Sequence, residues 1–374
     1  MKKTVSLILV LMLALGMTAT AMADTIKIGG LAPLTGEVAQ YGVAVQEGVD
    51  LYIKQINEAG GINGNTVEVL WQDEKGDVTE AINAYNKLVY QDEVVAIIGD
   101  VTSKPTLAVA DLAAEEGIPM ITASSTAYDV TTDKENVFRS CFLDPFQAKT
   151  MANFAKDEFG ATKLAVLYDT GDDYSTGLAE AFKAQAEANG QEIVAYEGGS
   201  ASDVDFKAQL TNIKAAAPEV LFVAYYYGPA ALIVKQASEI GLECKFVGAD
   251  GIGGIENSID DVSLLNNMYY SDHYASDAQS EEVISFNASF EAEYGQAPYS
   301  AFNATGYDAA MILCKAIEAA GSTDYAAVVD AMKATDVQGV TGNITFDEHN
   351  DPIKSAFIMT YVDGVKTFCK QQNP

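Results

Sequence analysis

The sequence predicts an α/β protein with two doubly wound parallel-sheet lobes. Short apolar segments alternate with amphipathic ones almost throughout, as in the apolar run 94–98, the helical pattern 105–116 and the apolar run 119–123. Continuous apolar strands between helices are typical of parallel sheets that are covered on both faces. A chain of 374 residues also exceeds what one hydrophobic core usually supports, which favours two domains.

The N-terminal segment has the three parts of a secretory signal peptide. Lys2 and Lys3 precede an apolar run over 5–15, and the small-x-small motif at 21–23 is a cleavage site. The run is too short to cross a bilayer, which needs about 20 apolar residues. We therefore expect residues 1–23 to be removed on export. Because no cysteine directly follows to carry a lipid, we expect a freely diffusing protein retained in a periplasm.

The segment 27–74 predicts a strand, a polar turn, an amphipathic helix and a second strand. The first strand breaks at Pro33 and Gly36, and apolar residues then recur at helical spacing from 43 to 56. Two glycines at 60–61 end this helix, and the second strand covers 66–71. The remaining predicted helices are 79–90, 105–116, 174–188, 205–216, 230–240, 281–294, 307–320 and 325–335, and the remaining strands are 94–98, 119–123, 164–168, 192–196, 220–224, 245–247, 344–346 and 357–362.

The segments LTGEVAQYG and INEAGGINGN in this first unit resemble those of a known protein family. The chain resembles the extracytoplasmic solute-binding proteins for leucine, isoleucine and valine, which serve ABC importers. The resemblance implies a type I periplasmic binding protein fold, a monomer, an inner-membrane permease as partner, and three chain crossings near Asp144, Ser271 and Ser355. Lobe 1 would then contain 24–144 and 272–354, and lobe 2 would contain 145–271 and 355–374.

Charge and cysteine content narrow the possible functions. The formal net charge of −31 repels phosphate backbones, so nucleic-acid binding is excluded. The cysteines Cys141, Cys244, Cys314 and Cys369 are widely spaced and form no metal motif. An exported protein permits disulfides, but buried free thiols fit the pattern equally well, and no pairing is assigned.

Enzyme and metal signatures are missing from the sequence. There is no G-x-S-x-G, H-E-x-x-H or P-loop lysine motif. The only histidines are His273 and His349, and the resemblance places neither at the ligand, so we predict surface or structural roles. The aspartate pairs at 172–173 and 260–261 lack the spaced oxygens of a calcium loop. We predict a protein that is not an enzyme and uses no cofactor or metal.

Two hydroxyl-rich loops are candidates for binding a ligand carboxylate. Arg139 is the only arginine, and a structural ion pair is its favoured role. If Arg139 does not bind the carboxylate, the alternative is a set of hydroxyls and free backbone N–H groups at a helix start. The segment 99–105 provides both. Ser103 in this loop either caps its helix, binds ligand, or does both. The loop 122–126 also follows a strand, and ligands bind at the carboxyl ends of strands in open α/β sheets.

The resemblance assigns these residues to parts of an amino-acid ligand. Ser103, Ser124 and Thr126 would hold the amino-acid backbone, with Ser124 acting through its carbonyl group in many members. Tyr227 and Asp250 would complete recognition from the second lobe, where Asp250 neutralises the α-ammonium. The side-chain pocket would be lined by Tyr41, Val101, Thr102, Tyr174 and Phe302.

The predicted function is the solute-binding component of an ABC importer that captures a small amino acid, most simply a branched-chain one, between its lobes. A sensory binding module stays open as an alternative, since sequence does not separate transport from sensing. A binding protein for another small organic acid or amide is the second alternative. Asp250 disfavours it, because a buried carboxylate repels an anion that lacks an amine.

Overall fold

The first of two large sheets is entirely parallel. The computed structural model describes residues 24–373, and the predicted signal peptide lies outside this range. The strand order is β2-β1-β3-β4-β5, and every neighbouring pair is parallel. These strands are β1 (Thr25–Ala32), β2 (Thr66–Asp73), β3 (Ala96–Ile98), β4 (Met120–Thr122) and β5 (Val137–Arg139).

The second sheet has seven strands in the order β14-β13-β10-β9-β8-β6-β7. Strands β6 to β10 are parallel, whereas β13 and β14 are antiparallel additions at one edge. The second sheet departs from the predicted parallel pattern only at this edge, where a tight hairpin joins the last two strands. The strands are β6 (Lys163–Asp169), β7 (Glu192–Gly199), β8 (Val220–Ala224), β9 (Lys245–Gly248), β10 (Met268–Asp272), β13 (Ala356–Val362) and β14 (Val365–Gln372). A separate small hairpin contains β11 (Asp336–Gly339) and β12 (Gly342–Thr345).

Ten α-helices connect these strands within the described range. They are α1 (Ala39–Glu58), α2 (Val78–Tyr90), α3 (Ser103–Glu116), α4 (Asp144–Phe159), α5 (Asp173–Ala188), α6 (Lys207–Ala216), α7 (Tyr227–Glu239), α8 (Glu281–Tyr294), α9 (Ala301–Ala320) and α10 (Tyr325–Lys333). Local chemistry accounts for two of the helix starts. The side chain of Ser300 caps α9, so this helix begins six residues before the apolar periodicity suggested. Helix α7 starts at Tyr227, and Pro229 lies in its first turn, where a proline is tolerated.

Helices α1 and α9 approach each other closely beside the first sheet. A Cβ atom at Gly48 would lie 2.0 Å from the carbonyl oxygen of Asn303, and one at Gly306 would lie 2.5 Å from that of Val45. Both distances are far below van der Waals contact, so this helix pair requires glycine at these two positions. The contact fixes α9, and with it Phe302, against the element that carries Tyr41.

The two sheets define two lobes, as the fold prediction required. The strands of the first sheet lie between residues 25 and 139. Those of the second sheet lie within 163–272 and 356–372. The crossing points near 144, 271 and 355 stay a prediction. Across residues 24–373, no helix combines the length and apolar character needed to cross a bilayer. All four cysteines are free thiols, and those of Cys141 and Cys314 are buried.

Candidate functional site

A small enclosed cavity lies between the two lobes, at the carboxyl ends of the parallel strands. It is nearly closed by its lining side chains, with a free volume of only about 10 Å³. Such a position is where open α/β sheets bind ligands, because loops from several strands converge there. The cavity is lined by Tyr41, Val101, Thr102, Ser103, Ser124, Thr126 and Phe302 together with Tyr174, Tyr226, Asp250 and Gly251.

Nine of the ten sequence-predicted site residues line this cavity, and Tyr227 does not. The neighbouring Tyr226 lines the cavity instead. The hydroxyl group of Tyr227 donates a 2.6 Å hydrogen bond to the carbonyl oxygen of Glu37 in the first lobe. Tyr227 therefore connects the lobes, while the ring of Tyr226 faces the enclosed space. The stretch Tyr225-Tyr226-Tyr227 contains three identical side chains, and only the end of β8 and the start of α7 decide which one faces inward.

The first wall presents the start of α3 and its hydroxyl groups. Ser103 is the first residue of α3, and Thr102 is the N-cap residue without a side-chain capping bond. The hydroxyl of Ser103 therefore does not cap this helix, which was one of its two predicted roles. Its Oγ atom instead accepts a 3.3 Å bond from the N–H of Ala127, which joins two cavity loops. The unpaired N–H groups of a first helical turn favour an anion at this wall.

The second hydroxyl loop follows β4. The hydroxyl of Ser124 donates to the carbonyl oxygen of Val101 at 2.9 Å, so its side chain is already used in tying the loops together. The Oγ1 atom of Thr126 is buried and makes no hydrogen bond of normal geometry among the described residues, although the carboxyl group of Asp144 lies near it. Buried hydroxyls without partners are uncommon in folded proteins. Thr126 therefore offers a polar contact that the protein alone does not satisfy.

Arg139 stabilises this loop from behind. Its guanidinium group donates to the carbonyl oxygens of Ser125 at 3.1 Å and Ala127 at 2.9 Å, and its Nε atom lies 2.6 Å from Oδ1 of Asp351. The structure therefore contains the structural ion pair that the sequence analysis favoured for Arg139. Arg139 lies on β5, which pairs with β4 in the first sheet.

The second wall is centred on the buried carboxylate of Asp250, in a short 3-10 turn after β9. Its Oδ1 atom accepts hydrogen bonds from Gln147 Nε2 at 2.9 Å, from the hydroxyl of Tyr174 at 3.0 Å and from the N–H of Gly251 at 3.1 Å. Its Oδ2 atom lies 3.0 Å from Nε2 of His273. The carboxylate is therefore surrounded by fixed donors.

Sequence reasoning missed the contact between His273 and Asp250, and it predicted only a surface or structural role for this histidine. His273 is fully buried and follows β10, a strand that the sequence analysis did not identify. Recognising the run Met268–Asp272 as a strand would have placed His273 at the cavity edge of the second sheet. The second missed group is Asp144. Burial raises the pKa of the Asp144 carboxyl well above its usual range, and the nearby Asp250 raises it further.

Aromatic rings form the remaining wall and link the lobes. The rings of Tyr174 and Tyr226 are stacked with centroids 4.8 Å apart, and Phe302 meets Tyr41 edge to face at 5.1 Å. The hydroxyl of Tyr41 donates a 2.5 Å hydrogen bond to the carbonyl oxygen of Gly251 in the second lobe. Burial raises the pKa values of the cavity tyrosines well above 10, so their hydroxyls are neutral donors.

A larger concavity of about 690 Å³ lies at the opposite, amino ends of β8 to β10, around Cys244 and Lys245. It is open and brings together no comparable set of buried polar groups. The enclosed cavity is therefore the better candidate site.

Comparison with known proteins agrees with this fold. Residues 25–366 match the family model described as periplasmic binding protein. The chain is 33% identical to the leucine-, isoleucine-, valine-, threonine- and alanine-binding protein of Pseudomonas aeruginosa, over 88% of this chain and 87% of that protein. Among solved structures it is similar to the leucine-binding protein LivK of Thermotoga maritima, with TM-score 0.88 and 32% identity, over 93% of this chain and 99% of that one.

The branched-chain amino acid transporter substrate-binding protein LivJ of Streptococcus pneumoniae, solved in complex with isoleucine, gives TM-score 0.87 and 32% identity, over 94% of this chain and 99% of that one. Proteins of this kind bind substrates and are not enzymes. The chain therefore belongs to the periplasmic binding protein family and, within it, to the leucine/isoleucine/valine-binding proteins.

Proposed function

We propose that this protein captures a small amino acid, preferably a branched-chain one, between its lobes and delivers it to an inner-membrane ABC permease. The observation that carries the proposal is the placement of opposite polar groups across one enclosed cavity. The start of α3 with Ser103 favours an anion on one wall, and the buried Asp250 carboxylate favours a cation on the other. A zwitterionic amino acid presents both charges at a fixed short distance.

The proposed orientation assigns each part of the ligand to a wall. The ligand carboxylate contacts the hydroxyl of Ser103 and the free N–H groups of α3. The ammonium group contacts Asp250 and the unpartnered hydroxyl of Thr126. The side chain then packs against the rings of Tyr41 and Phe302, which provide apolar area without charge. In this proposal the protein is monomeric, periplasmic and not an enzyme.

A small organic acid without an amine fits the cavity less well. It would leave the buried carboxylate of Asp250 facing another anion without compensation, which is costly in an enclosed site. Delivery to a permease, rather than to a sensory receptor, rests on the transporter assignment of the solved relative.

The proposal is tested by calorimetry on the exported protein without its leader. Leucine, isoleucine, valine, threonine and alanine are compared with the 2-oxo acid analogue of leucine. We expect amino acids to bind and the 2-oxo acid to bind at least tenfold more weakly, which corresponds to about 1.4 kcal/mol. Asp250→Asn should weaken the amino acids while leaving the 2-oxo acid unchanged or improved. Preferential binding of the 2-oxo acid by the unmodified protein would overturn the assignment.

The transport step needs a separate test in cells. Deleting the gene should reduce uptake of labelled leucine at low external concentration, and restoring the gene should recover it. A deletion that leaves uptake unchanged while abolishing a transcriptional or motility response to leucine would favour the sensory alternative.

A further inference from the structure

The histidine behind the ligand-facing carboxylate is held in one orientation. The ring of His273 lies against that of Phe142, with centroids 3.7 Å apart and an angle of 31° between the planes. Its backbone N–H donates to Oδ1 of Asp272 at 2.9 Å. The side chain is fully buried, and its Nε2 atom lies 3.0 Å from Oδ2 of Asp250. The ring is therefore fixed by packing on its face and by a polar contact at one edge.

The tautomer follows from the surroundings of the two ring nitrogens. The Nδ1 atom has no hydrogen-bond partner among the described residues. A buried N–H without an acceptor is rarer in proteins than an acceptor without a donor, so the proton belongs on Nε2, where the Asp250 carboxylate receives it. Burial also lowers the pKa of the imidazole, while Asp250 acts in the opposite direction, and the larger effect of burial favours the neutral ring.

The two carboxylate oxygens of Asp250 differ in how fully they are used. Oδ1 already accepts from three donors, on Gln147, Tyr174 and Gly251. Oδ2 accepts only from His273 among the described residues. A carboxylate oxygen has two lone pairs, so Oδ2 retains one acceptor position. Any ammonium group that pairs with Asp250 is therefore directed to Oδ2, the oxygen that His273 contacts.

We propose that His273 is a positioning residue for recognition of the ligand amine, acting through Oδ2 of Asp250. This inference rests on the proposed function. The neutral imidazole donates its Nε2–H to one lone pair of Oδ2 and so fixes the direction of the other toward the cavity. A lysine or arginine at this place would hold the carboxylate equally firmly but cancel its charge. A neutral donor orients the carboxylate and leaves its negative charge available to the ligand.

The matched anchor on the other side of Asp250 is Gln147. Its Oε1 atom accepts from the N–H of Asp250 at 3.0 Å and from the hydroxyl of Ser271 at 2.9 Å, while its Nε2 atom donates to Oδ1. Gln147 thus fixes the backbone and one oxygen of Asp250, and His273 fixes the other oxygen. The simpler alternative is that His273 only fills space beside Phe142.

Three substitutions separate these two roles. His273→Gln places an amide nitrogen near the position of Nε2 and keeps a donor to Asp250. His273→Asn is too short to reach, and His273→Phe keeps the ring against Phe142 but removes the donor. Leucine affinity is measured by calorimetry for each variant, in the unmodified protein and in the Asp250→Asn background, with thermal unfolding as the check on folding.

We expect His273→Phe and His273→Asn to weaken leucine binding by about 10- to 100-fold, and His273→Gln to stay within about fivefold of the unmodified protein. In the Asp250→Asn background the same histidine substitutions should change affinity by less than twofold, because the group through which they act is gone. A purely space-filling histidine would give the reverse order, with Phe tolerated and Gln not, and the losses would persist without Asp250.

The outcomes also separate this inference from the proposed function. If the unmodified protein binds no amino acid, the proposed function fails. If it binds leucine and His273→Phe binds equally well, the positioning role fails while the proposed function stands. Should His273→Phe not fold, the comparison of Gln with Asn decides, because both carry the same amide group and only Gln is long enough to donate to Asp250.

Discussion

The Nε atom of Arg139 lies 2.6 Å from Oδ1 of Asp351, and both side chains are buried behind the loop that follows β4. The remaining guanidinium nitrogens donate to the carbonyl oxygens of Ser125, Ala127 and Tyr128 and to the hydroxyl of Thr131. One arginine thus connects the loop after β4 to a segment more than 200 residues later in the chain. The guanidinium charge is therefore paired with Asp351 and stabilises the loop.

Removing Asp351 should therefore destabilise the protein strongly. Asp351→Ala leaves a buried guanidinium without its counter-ion, and such losses typically cost about 3–5 kcal/mol of unfolding free energy. The exposed pair of Lys333 and Glu135, 3.1 Å apart, provides a matched control. Glu135→Ala should cost less than about 1 kcal/mol. Urea unfolding measures both, and equal losses for the two variants would contradict the buried-pair interpretation.

A second prediction concerns the buried carboxyl groups of Glu74 and Asp100, which follow β2 and β3. Oε2 of Glu74 accepts from the N–H of Gly76 at 2.7 Å, and Oδ1 of Asp100 accepts from the N–H of Val101 at 2.6 Å. Their other oxygens, Oε1 of Glu74 and Oδ2 of Asp100, are buried and have no hydrogen-bond partner among the described residues, and one proton shared between the two neighbouring carboxyl groups would supply the missing bond. Burial raises the pKa of both groups, and the charge of Asp100 raises that of Glu74 further.

The sign of the pH dependence follows from these raised pKa values. The folded state keeps protons that the unfolded chain releases above about pH 4.5, so the contribution of these two groups to stability is largest at low pH and falls as the pH rises through their folded-state pKa values. Each retained proton contributes a slope of about 1.4 kcal/mol per pH unit. Glu74→Gln supplies the shared hydrogen permanently and should flatten the slope between pH 6 and 9. Glu68→Gln, at an exposed position on β2, should leave the slope unchanged. An unchanged slope in Glu74→Gln would refute the shared proton.

The cross-lobe hydrogen bond of Tyr41 leads to a third prediction. Its hydroxyl donates to the carbonyl oxygen of Gly251 and accepts from the N–H of Tyr227 at 3.2 Å, so it joins the lobes directly. Tyr41→Phe should weaken all amino acids by the same factor, about 2- to 13-fold for a net loss of 0.5–1.5 kcal/mol. Tyr225→Phe is the control, because its hydroxyl bonds to Tyr168 within the second lobe.

Calorimetry on a panel of amino acids separates the two variants. An equal effect of Tyr225→Phe and Tyr41→Phe would show that the cross-lobe position of the hydroxyl is unimportant. Small-angle scattering adds an independent check, because ligand should reduce the radius of gyration of the unmodified protein more than that of Tyr41→Phe.

The local sequence patterns predicted most of the fold, since apolar strands and amphipathic helices are visible within single windows. Elements at the second sheet's edge were harder to identify. Strand β14 was missed although Asp363-Gly364, both with positive φ, is a strong two-residue hairpin signal. Missing β10 had a larger consequence, because the position of His273 at the cavity depends on that strand.

The candidate site was predictable where loops follow recognised strands, and less so where contacts cross between lobes. Tyr226 and Tyr227 differ by one position at a helix start, and their roles are set by partners about 190 residues away, such as Glu37. The donors around Asp250 come from three distant segments that only the folded chain brings together. Local periodicity contains no information about such encounters.

The last prediction separates backbone recognition from side-chain selectivity. In the proposed orientation, Ser103→Ala and Thr126→Ala remove groups that contact parts common to every amino acid, so each should weaken leucine, valine, alanine and phenylalanine by similar factors. Loss of a hydrogen bond to a charged group is worth about 1.5–3 kcal/mol. Phe302→Ala should instead reorder the panel, because lost apolar contact scales with ligand side-chain area at roughly 25 cal/mol per Å².

Tyr174 does not belong to either class, since its hydroxyl also holds Oδ1 of Asp250. Tyr174→Phe keeps the stacking on Tyr226 and removes only that bond, so it should behave like the backbone-recognition variants. Tyr174→Ala should combine a uniform loss with a reordering. Dissociation constants for the four amino acids decide the matter. A uniform shift for Phe302→Ala together with a reordered panel for Ser103→Ala would show that the ligand lies in the cavity in the opposite orientation.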